Sequence, residues 1–192
     1  MSVQVGDDYL IRAIRPDEWA TVRGLRLEAL RDPVARLAFL ETYEQAVGRP
    51  DVFWQERAAR SAEEAGGARQ FVAVAADGAW AGTLTVLMEE AGTTDWAGEL
   101  VDRRQGHVVG VFVRPQHRGR GLSEALFAVG VEWAWERGAE RVRLFVHEDN
   151  GRARGAYRKA GFVPSGVTTE MAEGEGRELE LVVERAGGRG GA

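Results

Sequence analysis

The sequence predicts an α/β chain (α+β, with one mixed sheet), and three observations carry that expectation. Runs of β-branched residues of strand length recur along the chain. Amphipathic helical stretches with proline starts and glycine stops lie between them. One strand–loop–helix–strand stretch, residues 107–148, calls for a parallel pair inside a sheet otherwise built from hairpins. With 192 residues, 44% of them hydrophobic, the chain can bury a sizeable core. The economical reading is one domain over residues 1–186 and a disordered tail at 187–192, "GGRGGA", which has nothing to bury.

Each element has its own signal. "YLIRAIRP" (9–16) reads as a strand ending at proline, and Asp17 opens a helix with Trp19, Val22, Leu25 and Ala29 at helical spacing. "PVARLAFLETYEQAVGR" (33–49) reads as helical and carries Phe39, Glu41, Tyr43 and Glu44. "PDVFWQERAARSAEEAG" (50–66) follows as a further helix with Gly66 as its stop. "RQFVAVAADGAWAGTLTVLMEE" (69–90) is a hairpin around Asp77-Gly78. A polar connection (91–106) with Trp96 has the length of a lid or of a disordered loop. "HVVGVFV" (107–113) is a strand, residues 122–138 a helix, and "ERVRLFVHE" (140–148) a strand. "NGRARGAYRKAG" is a short helix with Asn150 as N-cap and Gly161 at its C-terminal end. Residues 162–171 and 177–185 alternate around "AEGEG" as a closing hairpin.

Composition excludes several classes. The formal net charge is −5, which weighs against nucleic acid as a partner and mildly suits a cationic small ligand. There is no cysteine, so disulfides, thiolate metal sites and a cysteine nucleophile are absent together. His107, His117 and His147 lack metal-ligand spacing, so no metal is expected. No stretch reaches about 18 apolar residues, and the N-terminus does not read as a secretory signal. The expectation is a cytoplasmic protein with no membrane partner.

The chemistry concentrates in "VFVRPQHRGRGLSEALF" (111–127). A helix start leaves about four backbone N–H groups unpaired and carries partial positive charge. Gly119 and Gly121 let a ligand approach the backbone, and Arg118 and Arg120 add forked donors, so the stretch suits a pyrophosphate. A glycine-softened loop with solvated arginines is the bland alternative. The spacing matches neither a Walker A loop nor a dinucleotide fingerprint.

The Pro115-x-x-Arg118-Gly119-x-Gly121-Leu122 pattern after a strand resembles the acetyl-CoA motif of the GCN5-related N-acetyltransferases (GNAT). "NGRARGAYRKAGF" (150–162) resembles the second signature of that family, and the two occur in its order. Ser123 departs from the glycine or alanine usual there. The resemblance implies a GNAT-like fold: a central, mixed, mostly antiparallel sheet, splayed at the motif strand, with helices on both faces. It implies acetyl-CoA as cosubstrate, its arm lying along the backbone of Val111, Phe112 and Val113. The N–H groups of Arg118, Gly119, Arg120, Gly121, Leu122, Ser123 and Glu124 would wrap the pyrophosphate, and Arg114 or Arg120 could reach the 3′-phosphate. Gln116 and His117 are bystanders in this reading.

Asn150 and Tyr157 lie two helical turns apart and share a face. Helix arithmetic alone favours a cap and a core tyrosine; the resemblance implies instead that Asn150 holds the cofactor's amide arm. Tyr157 would then be the proton donor to the CoA thiolate after direct attack by a primary amine. The family's glutamate on the strand before the second signature is replaced by Phe145. His107 stands near the other family position for a base, with a satisfied strand-end histidine as the alternative. Glu41, Glu44 and His147 are further candidates, as is a water chain. Trp54, Phe39, Tyr43 and Trp96 could line an acceptor pocket or sit in the core, and Asp95, Glu99 and Asp102 could attract a cation. The acceptor would be a small-molecule amine or a protein or peptide amine, and analogy allows a homodimer. The rivals are a non-catalytic acetyl-CoA-binding module, against which Tyr157 argues, and a toxin acetylating aminoacyl-tRNA, which the acidic balance disfavours.

Overall fold

The computed structural model describes residues 2–6, 8–171 and 176–185. The expected tail and most of the "AEGEG" turn lie outside the described residues. Eight strands form one sheet in the order β1-β2-β3-β4-β5-β6-β8-β7. They are β1 Ser2–Val5, β2 Tyr9–Ala13, β3 Ala68–Ala75, β4 Trp80–Glu89, β5 Gln105–Val113, β6 Arg141–His147, β7 Val163–Glu170 and β8 Arg177–Glu184. Every neighbouring pair is antiparallel except β5 and β6. The crossover between those two is α4, Leu122–Glu136, as the strand–helix–strand spacing requires.

The other helices are α1 Trp19–Ala29, α2 Tyr43–Val47, α3 Asp51–Ser61 and α5 Gly151–Lys159. They divide between the two faces because side chains alternate along each strand. On β3, Phe71 and Ala73 join the core under α4 with Leu126, Phe127 and Trp133. Val72 between them joins the opposite core with Val22 and Leu25 of α1 and Ala58 of α3. Burying a large apolar side chain such as Phe71 or Trp133 stabilises by roughly 1.5–3 kcal/mol. Helix α4 lies close against β4 at Gly130, where an added Cβ would come within 2.9 Å of Leu84 Cδ1.

Three local readings need correction. Residues 2–5 form a strand that pairs with β2 across the turn at Gly6, which has a positive φ of 58°. The strand is too short to stand out by pattern. The single helix expected over 33–49 is broken into a 3₁₀ turn, Ala35–Leu37, and the five-residue α2. The reason is a capping box: Thr42 Oγ1 accepts from the Gln45 N–H, and the Gln45 side chain accepts from the Thr42 N–H. With Thr42 in extended backbone, a new helix starts there instead of an old one continuing. Strand β5 also starts before His107, taking in Gln105 and Gly106. Among the described residues no helix is long and apolar enough to cross a membrane.

Candidate active site

The site begins with a sheet that comes apart. Strand β5 pairs with β6 only from Gln105–His107 to Arg141–Arg143, and beyond that the two strands diverge. On its other edge β5 pairs with β4, but the register slips between Thr83 and Thr85. The extra residue falls where Gly110 adopts a positive φ of 65°, which glycine accepts at little cost. This bulge bends β5 away from β6. Val111, Phe112 and Val113 then run along one wall of a cavity of about 520 Å³.

The floor of that cavity is the cradle. Gly119 and Gly121 both have positive φ, 74° and 72°, and a Cβ built on either would meet open space. Gly121 is the N-cap of α4 and has no side chain to cap it; the first helical bond is from the Ala125 N–H to the Gly121 carbonyl at 3.1 Å. The N–H groups from Gly119 through Glu124 therefore find no acceptor among the described residues. A run of converging N–H donors at the positive end of a fifteen-residue helix suits a phosphate-bearing ligand.

Several of the expected contacts are already occupied. The Arg118 N–H donates to the Pro115 carbonyl at 3.3 Å. Its guanidinium donates to the Val113 carbonyl at 2.9 Å and pairs with Asp32. Arg118 braces the loop, and the Asp32 carboxyl, which burial would raise, is held below its ordinary range by that pairing. Arg120 is exposed, reaches only the Tyr9 hydroxyl at 3.4 Å, and does not line the cavity. Arg114 forks onto Glu28 at 2.7–3.0 Å. His117, read as a bystander, lines the cavity and bonds the Tyr9 hydroxyl at 2.9 Å. The cations that the sequence reading passed over are Arg152 and Lys159, which line the cavity from α5. Helical spacing does not single out Arg152, which, five residues before Tyr157, lies roughly 140° around α5 from it.

Ser123 Oγ donates to its neighbour Glu124 at 2.9 Å. Its hydroxyl is therefore engaged within the chain. The expected outcome for Ser123→Ala is a change in acetyl-CoA affinity of about twofold or less, the size of half a kcal/mol. Calorimetric titration checks this, and a loss of tenfold or more would show that the hydroxyl holds the ligand.

Asn150 is buried and both its ends are occupied. Its Oδ1 accepts from the Ala153 N–H at 3.2 Å, and its Nδ2 donates to the Leu37 carbonyl at 3.3 Å. The residue is a helix cap that also ties α5 to the 3₁₀ turn beside α1. Tyr157, on the same face of α5, lies edge-on to Phe127 with ring centroids 5.3 Å apart. Among the described residues its hydroxyl has no hydrogen-bond partner. Burial, helped by the charge of Glu178, pushes that hydroxyl up to about 12.

Tyr157 also lines a second cavity, of about 610 Å³, on the far side of the splay. His107 stands on its wall, 6% exposed, with Nδ1 2.9 Å from Glu89 Oε1. Glu89 accepts from Gln105 at 2.7 Å and pairs with Arg143 at the same distance. Arg143 in turn pairs with Asp95 at 2.9 Å and Glu180 at 3.2 Å. Burial would raise the Glu89 carboxyl, but the bond to His107 and the charge of Arg143 hold it below the usual carboxylate range. Trp96 and Phe145, ring centroids 5.2 Å apart, and Phe39 supply the apolar lining. Trp54 belongs to the core, fully buried beside Leu30 and Ala46, while Tyr43 lies outside both cavities.

The other base candidates separate cleanly. Glu41 lines the second cavity but pairs with Arg26 at 3.2 Å, and Glu44 does not line it. His147 lies on β6 off the cavity wall, where its Nδ1 accepts from the Asp149 N–H at 3.1 Å. Glu178 on β8 was missed: it lines the cavity with Tyr157, and burial raises its carboxyl. Its alternating strand offers no signal that would single it out. In the acidic loop Asp95 pairs with Arg143 and Asp102 lies 3.5 Å from Arg141, so two of its three carboxylates already have a cation nearby. Among the described residues no cluster of three metal-ligating side chains occurs.

The family model described as "Acetyltransferase (GNAT) family" matches residues 34–162. The chain is 34% identical to the streptothricin acetyltransferase of Streptomyces lavendulae over 112 residues, 58% of this chain and 53% of that protein. It spans about half the length, or less, of the first curated relatives it matches. Its fold is similar to that of a ribosomal-protein-S5-alanine acetyltransferase from Vibrio fischeri, with a TM-score of 0.71 at 15% identity, covering 97% and 98% of the two chains. It is also similar to the Salmonella typhimurium protein yncA, whose structure contains acetyl-CoA as its cofactor, with a TM-score of 0.64 at 15% identity and 91% and 92% coverage.

Proposed function

The chain belongs to the GNAT acetyltransferase family, and on that premise we propose that it moves the acetyl group of acetyl-CoA to a primary amine by direct attack in a ternary complex. The observation that carries this reading is the meeting of two cavities at Tyr157, one with a phosphate cradle and one with a base. The open N–H run from Gly119 to Glu124 fits a pyrophosphate, with Arg152 and Lys159 as the nearby cations. The unpaired edge of Val111 and Phe112 fits an extended amide-bearing arm. When bound, acetyl-CoA supplies the thioester that carries the acyl group. The chain has no cysteine to accept that group, which favours direct attack over a covalent enzyme route.

An alkyl ammonium, with a pKa near 10, must lose a proton before it can attack. His107 is the base in this reading: Glu89 holds its Nδ1 side, leaving Nε2 for the acceptor. Glu178 supplies a carboxylate on the same wall that attracts the ammonium. Tyr157, at about 12, stays protonated at neutral pH. Moving that proton completely to a thiolate of parent pKa ~8.5 would run about 5 kcal/mol uphill. Its role as donor is therefore first a hydrogen bond that tightens as charge grows on the leaving sulfur.

The test is free-thiol release from acetyl-CoA across a panel of primary amines. Release with at least one amine is expected. Measurable acetyl-CoA binding with no release from any amine would favour a binding module.

A further inference from the structure

The second cavity is electrically polarised, and its polarity speaks to the acceptor. The wall formed by the helices and their connections carries Arg26 of α1, Arg36 of the 3₁₀ turn, Arg49 before α3 and Arg57 of α3, against the single carboxylate of Glu41. Glu41 is shared, 3.2 Å from Arg26 and 3.8 Å from Arg49. Arg57 is half-buried, and its guanidinium has no ion pair or hydrogen bond with any described residue; it lies 6.0 Å from the Trp54 ring centroid. Burial lowers the proton affinity of Arg57 and of Arg26, and the charge of Arg57 lowers that of Arg26 further. Two partly desolvated cations thus face one another across too few anions.

The sheet wall has the opposite sign. Glu89, Asp95 and Glu178 line it, with Arg143 as the cation that Glu89, Asp95 and Glu180 share. His107 is on this wall, and Tyr157 of α5 lies within the influence of Glu178. The chain's net charge of −5 would suggest a cavity suited to polycations, yet four arginines from the helical segments between β2 and β3 line it. A polyamine would bring positive charge onto that wall, and a plain alkylamine would leave Arg57 without an anion.

We propose that the acceptor is a small amine carrying an anionic group on the same molecule, an amino-acid-like zwitterion, with its anion held by Arg57 and Arg26 and its amine directed to the sheet wall. This rests on the acetyl-transfer reading above and names the substrate class of that site. A carboxylate accepts two parallel N–H bonds from a guanidinium fork, which supplies orientation as well as affinity. Anchoring the anion at the helices leaves the amine to reach toward His107 and Tyr157.

The experiment uses free L-amino acids, the corresponding carboxamides and spermidine, followed by calorimetric binding to the protein and by thiol release from acetyl-CoA. The expected result is that at least one amino acid binds, and that its kcat/KM exceeds that of its carboxamide at least a hundredfold. The carboxamide has the more readily deprotonated amine, so chemistry alone would favour it. Arg57→Gln is expected to raise the KM for the amino acid at least tenfold and to narrow the acid-to-amide ratio by a similar factor. Arg57→Lys should restore part of that ratio. Thiol release that ignores the carboxylate, spermidine as the better acceptor, or an acid-to-amide ratio unmoved by Arg57→Gln would overturn the proposal while leaving acetyl transfer standing. Amino-acid binding lost in Arg57→Gln, with no thiol release from any amine, would overturn acetyl transfer while leaving the anion site. Neither binding nor release would overturn both.

Discussion

Arg143→Leu is expected to lower the stability of the protein by about 3–5 kcal/mol near neutral pH, the size of breaking a buried ion pair from one side. Arg143 is 6% exposed at its side chain and faces Glu89, Asp95 and Glu180, with side-chain exposures of 14%, 3% and 2%. Removing the cation they share leaves three carboxylates in a poorly solvated place. The cluster also holds the site together, because Asp95 anchors the Trp96 loop by accepting from the N–H groups of Ala97 and Glu99 at 2.9 Å.

The pH dependence has a definite sign. Burial would raise the Glu89 and Asp95 carboxyls, but their partners hold both below the ordinary range. A depressed folded-state value contributes stability above the unfolded value, near pH 4, which is lost as the pH falls through the folded value. In the Arg143→Leu protein burial is no longer opposed by that cation, so protonation should relieve the variant as the pH falls toward 4. Denaturant unfolding of both proteins at pH 7 and pH 4 checks this: the gap should be widest at pH 7 and shrink at pH 4. A gap that stays constant or widens in acid would mean that the cluster does not carry the effect.

Tyr157→Phe is expected to reduce kcat by about a hundredfold, at the lower end of what a positioned acid contributes. The affinity for acetyl-CoA should stay within about threefold, since that loss belongs to the transition state alone. Phenylalanine keeps the ring and its edge contact with Phe127, so the fold has little reason to respond. The hydroxyl is the only group removed, and it has no partner among the described residues. Steady-state kinetics with acetyl-CoA and the best amine, together with calorimetry, separate the two quantities. Turnover retained with weakened binding would reverse the assignment and make Tyr157 a binding residue.

Much of this site was legible in the linear sequence because its signals are local. Gly119 and Gly121 before an apolar helical stripe mark a helix start without a side-chain cap, which three-dimensional packing hardly alters. The Asp77-Gly78 turn and the hairpin around it are likewise set by residues next to one another, with Gly78 at a positive φ of 84°. Asn150 and Tyr157 share a face because helical geometry requires it. The break at Thr42 was written in the local Thr42–Gln45 pair too, and was hidden only by apolar residues that fit a longer helix.

Which donors and charges remain free follows only from the packing of distant segments. The sequence was enough for the mixed sheet, its crossover and the glycine-opened helix start, since these depend on periodicity and backbone freedom. It could not say that Asp32 occupies Arg118, that Glu28 occupies Arg114, or that Leu37 and Ala153 occupy both ends of Asn150. Nor could it bring Glu89, residue 95 of a long loop and residue 180 of the last strand around Arg143. Pairing between charged groups depends on distance and burial, and both arise only when residues far apart in the chain are packed together.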